Sequence, residues 1–153
     1  MDRPAISVCV THRPIDLSAA QAFLSDPAHG AMDLFIGTVR DNHQGKAVTG
    51  ITYDVHVPLA EKILEEICAR ARTLWPGTRY YVAHFQGDLK VGEISILIGV
   101  GAAHRAEAFE ACRFVIEEIK TRAPVWKREH YPDRDSAWLP GHALVGGARP
   151  CVA

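Results

Sequence analysis

The chain has 153 residues, 48% of them hydrophobic and 23% charged, with a formal net charge of −1. That length suits one domain with its own core, and the balanced charge leaves no bulk attraction for nucleic acid or anionic lipid. No apolar run approaches the roughly 20 residues of a membrane span, and the opening MDRPAISVCV lacks the long apolar stretch of a secretory signal, so a cytoplasmic protein is expected.

In chain order, Ile6 to Val10 reads as a first strand, alternating in and out. Asp16 or Ser18 can cap a short helix running to about Leu24. Ala31 to Arg40 is strand-like and mostly apolar. The polar loop Asp41 to Lys46 joins it to a strand at Val48 to Val55, as in a hairpin with a mobile tip. Leu59 to Trp75 reads as a helix, with Leu59, Ile63, Ile67, Ala71 and Leu74 on one face, stopped by Trp75-Pro76-Gly77. Arg79 to Phe85 and Glu93 to Gly101 are two more strands around a Gly87-Asp88 turn.

A second long helix follows, with Ala108, Phe109, Cys112, Val115, Ile116 and Ile119 as its apolar stripe. Trp126 to Tyr131 is a last strand, and the stretch beyond Trp138 has turn formers and no periodicity. Hairpins outnumber strand-helix-strand units, which favours an α+β fold with a largely antiparallel sheet and two long helices. The organisation is a single domain over residues 1–140, with an irregular tail over residues 141–153. Cys9, Cys68, Cys112 and Cys151 show no metal-ligand spacing, so neither a metal nor a cofactor is expected. Cys68 and Cys112 fall on apolar helix faces and read as small core residues.

Three groups of residues bear chemistry. His104 and Arg105 open the second long helix, where a cation opposes the helix dipole and free N–H groups attract anions. A docked phosphate or carboxylate would account for them, and so would plain solvation beside Glu107 or Glu110. Lys120 closes the same helix, where the dipole favours it regardless of function. Lys127 lies seven residues on, beyond Pro124 and beside Val125 and Trp126. If the chain folds back there, two ammonium groups share a partly dry space. Like charge and desolvation then lower a lysine pKa and yield a neutral amine able to act as base or nucleophile. Arg40 ends an apolar strand, and its planar fork suits a phosphate as well as it suits water. Glu129 would share a strand face with Lys127 and could pair with it. His43, in the polar loop, reads as a surface residue.

Taken together, Gly37-Thr38-Val39-Arg40, Val91-Gly92-Glu93, His104-Arg105 and the run K-x-x-x-P-x-W-K-x-E from Lys120 to Glu129 resemble the catalytic subunit of molybdopterin synthase. The resemblance runs from about Ile6 to Trp138. It implies an α/β-hammerhead-like fold and a homodimer within a heterotetramer. Each end of that dimer would take a small ubiquitin-like sulfur carrier with a C-terminal Gly-Gly thiocarboxylate. The implied reaction moves sulfur onto cyclic pyranopterin monophosphate to form the molybdopterin dithiolene. By position, Lys120 and Lys127 would be catalytic, and Arg40, His104 and Arg105 would line the anionic substrate pocket. Asp41 stands where such proteins usually carry Asn. The tail is apolar where relatives keep charges, leaving His142 as the one possible counterpart of a basic residue there.

Residues 104 and 120 on one helix lie roughly 24 Å apart, too far for one pterin to touch both within one chain. This implies a composite site, with Arg40, Lys120 and Lys127 from one protomer and His104 and Arg105 from its mate. Two rival functions are a non-catalytic module receiving a ubiquitin-like tail and a nucleotide- or nucleic-acid-binding domain. The lysine doublet speaks against the first, and the net charge with no aromatic-basic interleaving against the second.

Overall fold

A computed structural model of the chain describes residues 2–140, so the tail, with His142, lies outside the described residues. In order, the elements are β1 (Ile6–Thr11), α1 (Leu17–Leu24), β2 (Ala31–Thr38), β3 (Asn42–His43), β4 (Lys46–Ala47), β5 (Gly50–Val55), α2 (Val57–Leu74), β6 (Arg79–Phe85), β7 (Gly87–Lys90), β8 (Ile94–Ala102), α3 (Arg105–Arg122), β9 (Val125–His130) and β10 (Ala137–Trp138). The helices start and stop for local reasons. Asp16 caps α1, its carboxylate accepting from the Ser18 N–H at 2.9 Å. Gly77, at a φ of 82°, turns the chain after α2, and Pro124 follows the C-cap of α3.

Two four-stranded sheets result, ordered β1-β6-β8-β2 and β10-β9-β5-β7, with β3-β4 as a separate ribbon. β1 runs parallel to β6 and every other pairing is antiparallel, so the mixed α+β architecture is the expected one. Along β8 the alternation of faces is strict. Ile96, Ile98 and Val100 join the core with α2 and α3, together with Ile51, Tyr53 and Leu89 of the second sheet. Leu97 and Gly99 face α1, and a Cβ on Gly99 would collide with Leu24, so glycine there lets α1 lie close.

Five expectations need correcting. β2 and β5 do not form a hairpin, because β2 pairs with β8 in one sheet and β5 with β7 and β9 in the other. The loop between them instead makes its own tight hairpin, Asn42–His43 against Lys46–Ala47, through Gln44 and Gly45 at φ 50° and 79°. Gly87-Asp88 is not a simple turn but the start of β7, which crosses to pair with β5.

The buried face of α2 is Ala60, Leu64, Ile67, Cys68 and Ala71, while Leu59 and Leu74 are exposed. Small residues let that face approach its neighbours, and close packing outweighs the larger aliphatic stripe. On α3 the stripe is buried as read, except that Phe109 is 60% exposed and Ala111 takes its place. β1 is uniformly half-buried rather than alternating. Cys68 and Cys112 are core residues, and no helix among the described residues is long and apolar enough to cross a membrane.

Candidate active site

The site forms where the end of α3, the exit of β2 and the inner face of β9 meet. The ladder of β2 with β8 shifts register between Gly37 and Thr38, and a bulge of this kind bends a strand and re-aims the residues beyond it. Val39 is then tied down on both sides: its N–H donates to the Glu93 carbonyl at 3.0 Å and its carbonyl accepts from Gly92 at 2.8 Å. Arg40 therefore leaves the strand from a fixed point. At the other wall, Ala123 ends α3 by donating to the Ile119 carbonyl, and Pro124 prevents the helix continuing. The chain reverses into β9, whose register sets Lys127 opposite Tyr53 and Glu129 opposite Ile51. All four side chains line one cavity.

That cavity holds about 330 Å³ and gathers Arg40, Lys120, Lys127, Glu129, His43 and Tyr53 over an apolar floor including Phe35, Ile96 and Ile116. The chain thus brings together both lysines, Arg40 and Glu129. It leaves His104 and Arg105 outside, exposed at the far end of α3, a continuous 18-residue helix. There the Glu107 carboxylate accepts from the His104 N–H at 3.2 Å, a capping-box bond that offsets the awkward cations at the positive end of the dipole.

Electrostatics distinguish the two lysines. Burial pushes the Lys127 amine below its ordinary value, the Arg40 and Lys120 charges act in the same direction, and Glu129 opposes them. Lys127 is thus the cation whose neutral form is made accessible. Glu129 is 2% exposed, and its Oε1 lies 2.5 Å from His43 Nδ1. When the carboxylate is ionised it only accepts, and the Nδ1–H is then the donor of this contact. The arrangement can bind an anion through fixed cations and can supply an amine as base or nucleophile.

His43 and Tyr53 were not anticipated in the site. Tyr53 carried one signal, an aromatic within an alternating strand, and its ring meets buried His84 edge-on at 5.2 Å. For His43 the signal was the two-residue Gln44-Gly45 turn, which sends the loop back toward β9.

Residues 10–122 match the family model described as MoaE protein. The molybdopterin synthase catalytic subunit of Synechococcus elongatus is 49% identical, over 92% of this chain and 90% of its own length. That of Arabidopsis thaliana is 38% identical, over 85% and 66% respectively. Among solved structures, molybdopterin synthase from Staphylococcus aureus superposes with a TM-score of 0.83 at 34% identity, covering 88% of this chain and 96% of that one. A complex of subunits 1 and 2 of the molybdopterin-converting factor from Helicobacter pylori gives 0.76 at 26% identity, covering 91% and 95%. The chain belongs to the MoaE family, the catalytic subunits of molybdopterin synthase.

Proposed function

We propose that this subunit performs the sulfur-transfer step of molybdopterin synthesis, accepting sulfur from the Gly-Gly thiocarboxylate of a small ubiquitin-like partner and delivering it to cyclic pyranopterin monophosphate. The observation that carries the reading is the pocket itself, which sets a desolvated Lys127 beside Lys120 and Arg40. Lys127 acts on the thiocarboxylate through its neutral amine, either as acid-base catalyst or through a transient covalent adduct. Lys120 orients the partner's tail and adds positive charge that helps hold the Lys127 amine neutral. Arg40 takes an anionic group of the substrate with its planar fork. The Helicobacter complex, built from two subunits, supports a small-subunit partner here.

The site is completed across a homodimer, the partner's His104 and Arg105 supplying the rest of the phosphate contact. Two features support this. The continuous α3 keeps a chain's own His104 roughly 24 Å from its Lys120. The edge strand β2 exposes Met32, Phe35 and Ile36, and α3 exposes Phe109, an apolar surface adjoining the pocket through Phe35. The direct test is conversion of the pyranopterin in vitro with a thiocarboxylated partner. Lys127→Ala should abolish transfer while leaving partner binding largely intact. Equal loss of both would assign Lys127 to docking instead.

A further inference from the structure

One pair of side chains in the pocket has no role in the proposed transfer. His43 ends β3, and the left-handed Gln44–Gly45 turn folds its strand back so that the ring reaches Glu129 on β9. Glu129 is the one acid among the described residues lining the cavity, and it is almost fully buried. A desolvated carboxylate needs a partner. Lys127 is two residues away on the same strand face, yet among the described residues no ion pair joins them, and the carboxylate pairs with His43 instead.

We propose that His43 is a positioning residue that anchors the Glu129 carboxylate on the hairpin side of the pocket and so sets the pH range in which the Lys127 amine is available. The proposal rests on the sulfur-transfer reading only for the use made of that amine. Around Lys127 the groups that face it are Arg40 from the exit of β2, Lys120 from α3, Tyr53 from β5, and Glu129 on its own strand. Tyr131 interacts with Glu129 from further along the chain. Of these, Glu129 alone favours the protonated amine. Where its carboxylate is held therefore decides how far the burial of Lys127 and its cationic neighbours prevail. A carboxylate released from His43 keeps its hydrogen bond to Tyr131 but is freed to turn toward the ammonium group two residues away, the nearest opposite charge.

The test measures the reactivity of Lys127 itself in the homodimer without substrate. The pH dependence of its acetylation is read by peptide mass spectrometry in the wild type, His43→Phe, His43→Asn and Glu129→Gln. His43→Phe should move the Lys127 midpoint up by about one pH unit, leaving roughly tenfold less neutral amine near pH 7. His43→Asn, whose amide N–H stands where Nδ1–H stood, should restore most of the wild-type midpoint. Glu129→Gln should move the midpoint down, and adding His43→Phe to it should change nothing further. An unmoved midpoint in folded His43→Phe overturns the anchor, as does a further shift in the double variant. A parallel rate–pH profile of sulfur transfer separates the two claims. A moved amine midpoint with an unmoved transfer profile leaves the anchor standing and removes Lys127 from the transfer step.

Discussion

The two ends of α3 carry similar charges in opposite settings. At the C-terminal end, Lys120 meets Lys127, Arg40 and a buried Glu129 around an enclosed space, and the amine of Lys127 is driven toward its neutral form. At the N-terminal end, His104 and Arg105 stand exposed, with the Glu107 carboxylate accepting from the His104 N–H. The first end is organised for chemistry within one chain. The second leaves two basic side chains in solvent, beside the exposed ring of Phe109. In the proposed composite site, the first end is one half and the second is the half supplied to the other protomer.

The largest expected effect comes from the enclosed end. Lys127→Ala should lower sulfur transfer by about 10³-fold, the usual worth of a positioned acid-base group, with partner binding retained in a pull-down. At the exposed end, Arg105→Ala should leave that machinery intact and lower kcat/KM by about 10–100-fold, through KM, as expected for a lost charge-assisted phosphate contact. A fall confined to kcat would mean that Arg105 serves the chemistry rather than the binding. Phe109→Asp should weaken self-association about tenfold, seen by analytical ultracentrifugation, with the fold unchanged by circular dichroism.

A final effect belongs to stability and again favours the enclosed end. His84, 1% exposed beneath Tyr53, has its pKa pushed down to about 4 by burial. The unfolded chain takes up that proton near pH 6.5 and the folded chain does not, so stability is lost as pH falls from about 6.5 toward 4. At pH 5 the loss relative to pH 8 is about 2 kcal/mol from this group, and His84→Leu should flatten that part of the acid limb in urea titrations.

Much of this was readable from the chain. The 3.6-residue period marks α3 and its core face, and Pro124 between two lysines announces the reversal that brings Lys120 and Lys127 together. Phe109 fits the same period yet faces out, because period reports a helix face and not which neighbour covers it. The α2 stripe slipped for a related reason, as Ala60, Cys68 and Ala71 allow a closer approach than Leu59 or Leu74. His43 escaped altogether. Its partner Glu129 is 86 positions away in the chain, and only the backbone of one tight turn brings the two together.

The composite site is tested most directly by mixing two impaired variants and assaying them at substrate concentrations far below KM, where neither variant alone has more than a small fraction of the wild-type rate. Lys127→Ala and Arg105→Ala chains are unfolded together, refolded at equal amounts and assayed for sulfur transfer. Random pairing makes half the dimers mixed, and each mixed dimer then holds one intact site, so activity should return to about a quarter of the wild-type level. Activity no higher than the average of the two parent variants would show that each chain uses its own Lys127 and Arg105, and would contradict the two half-sites.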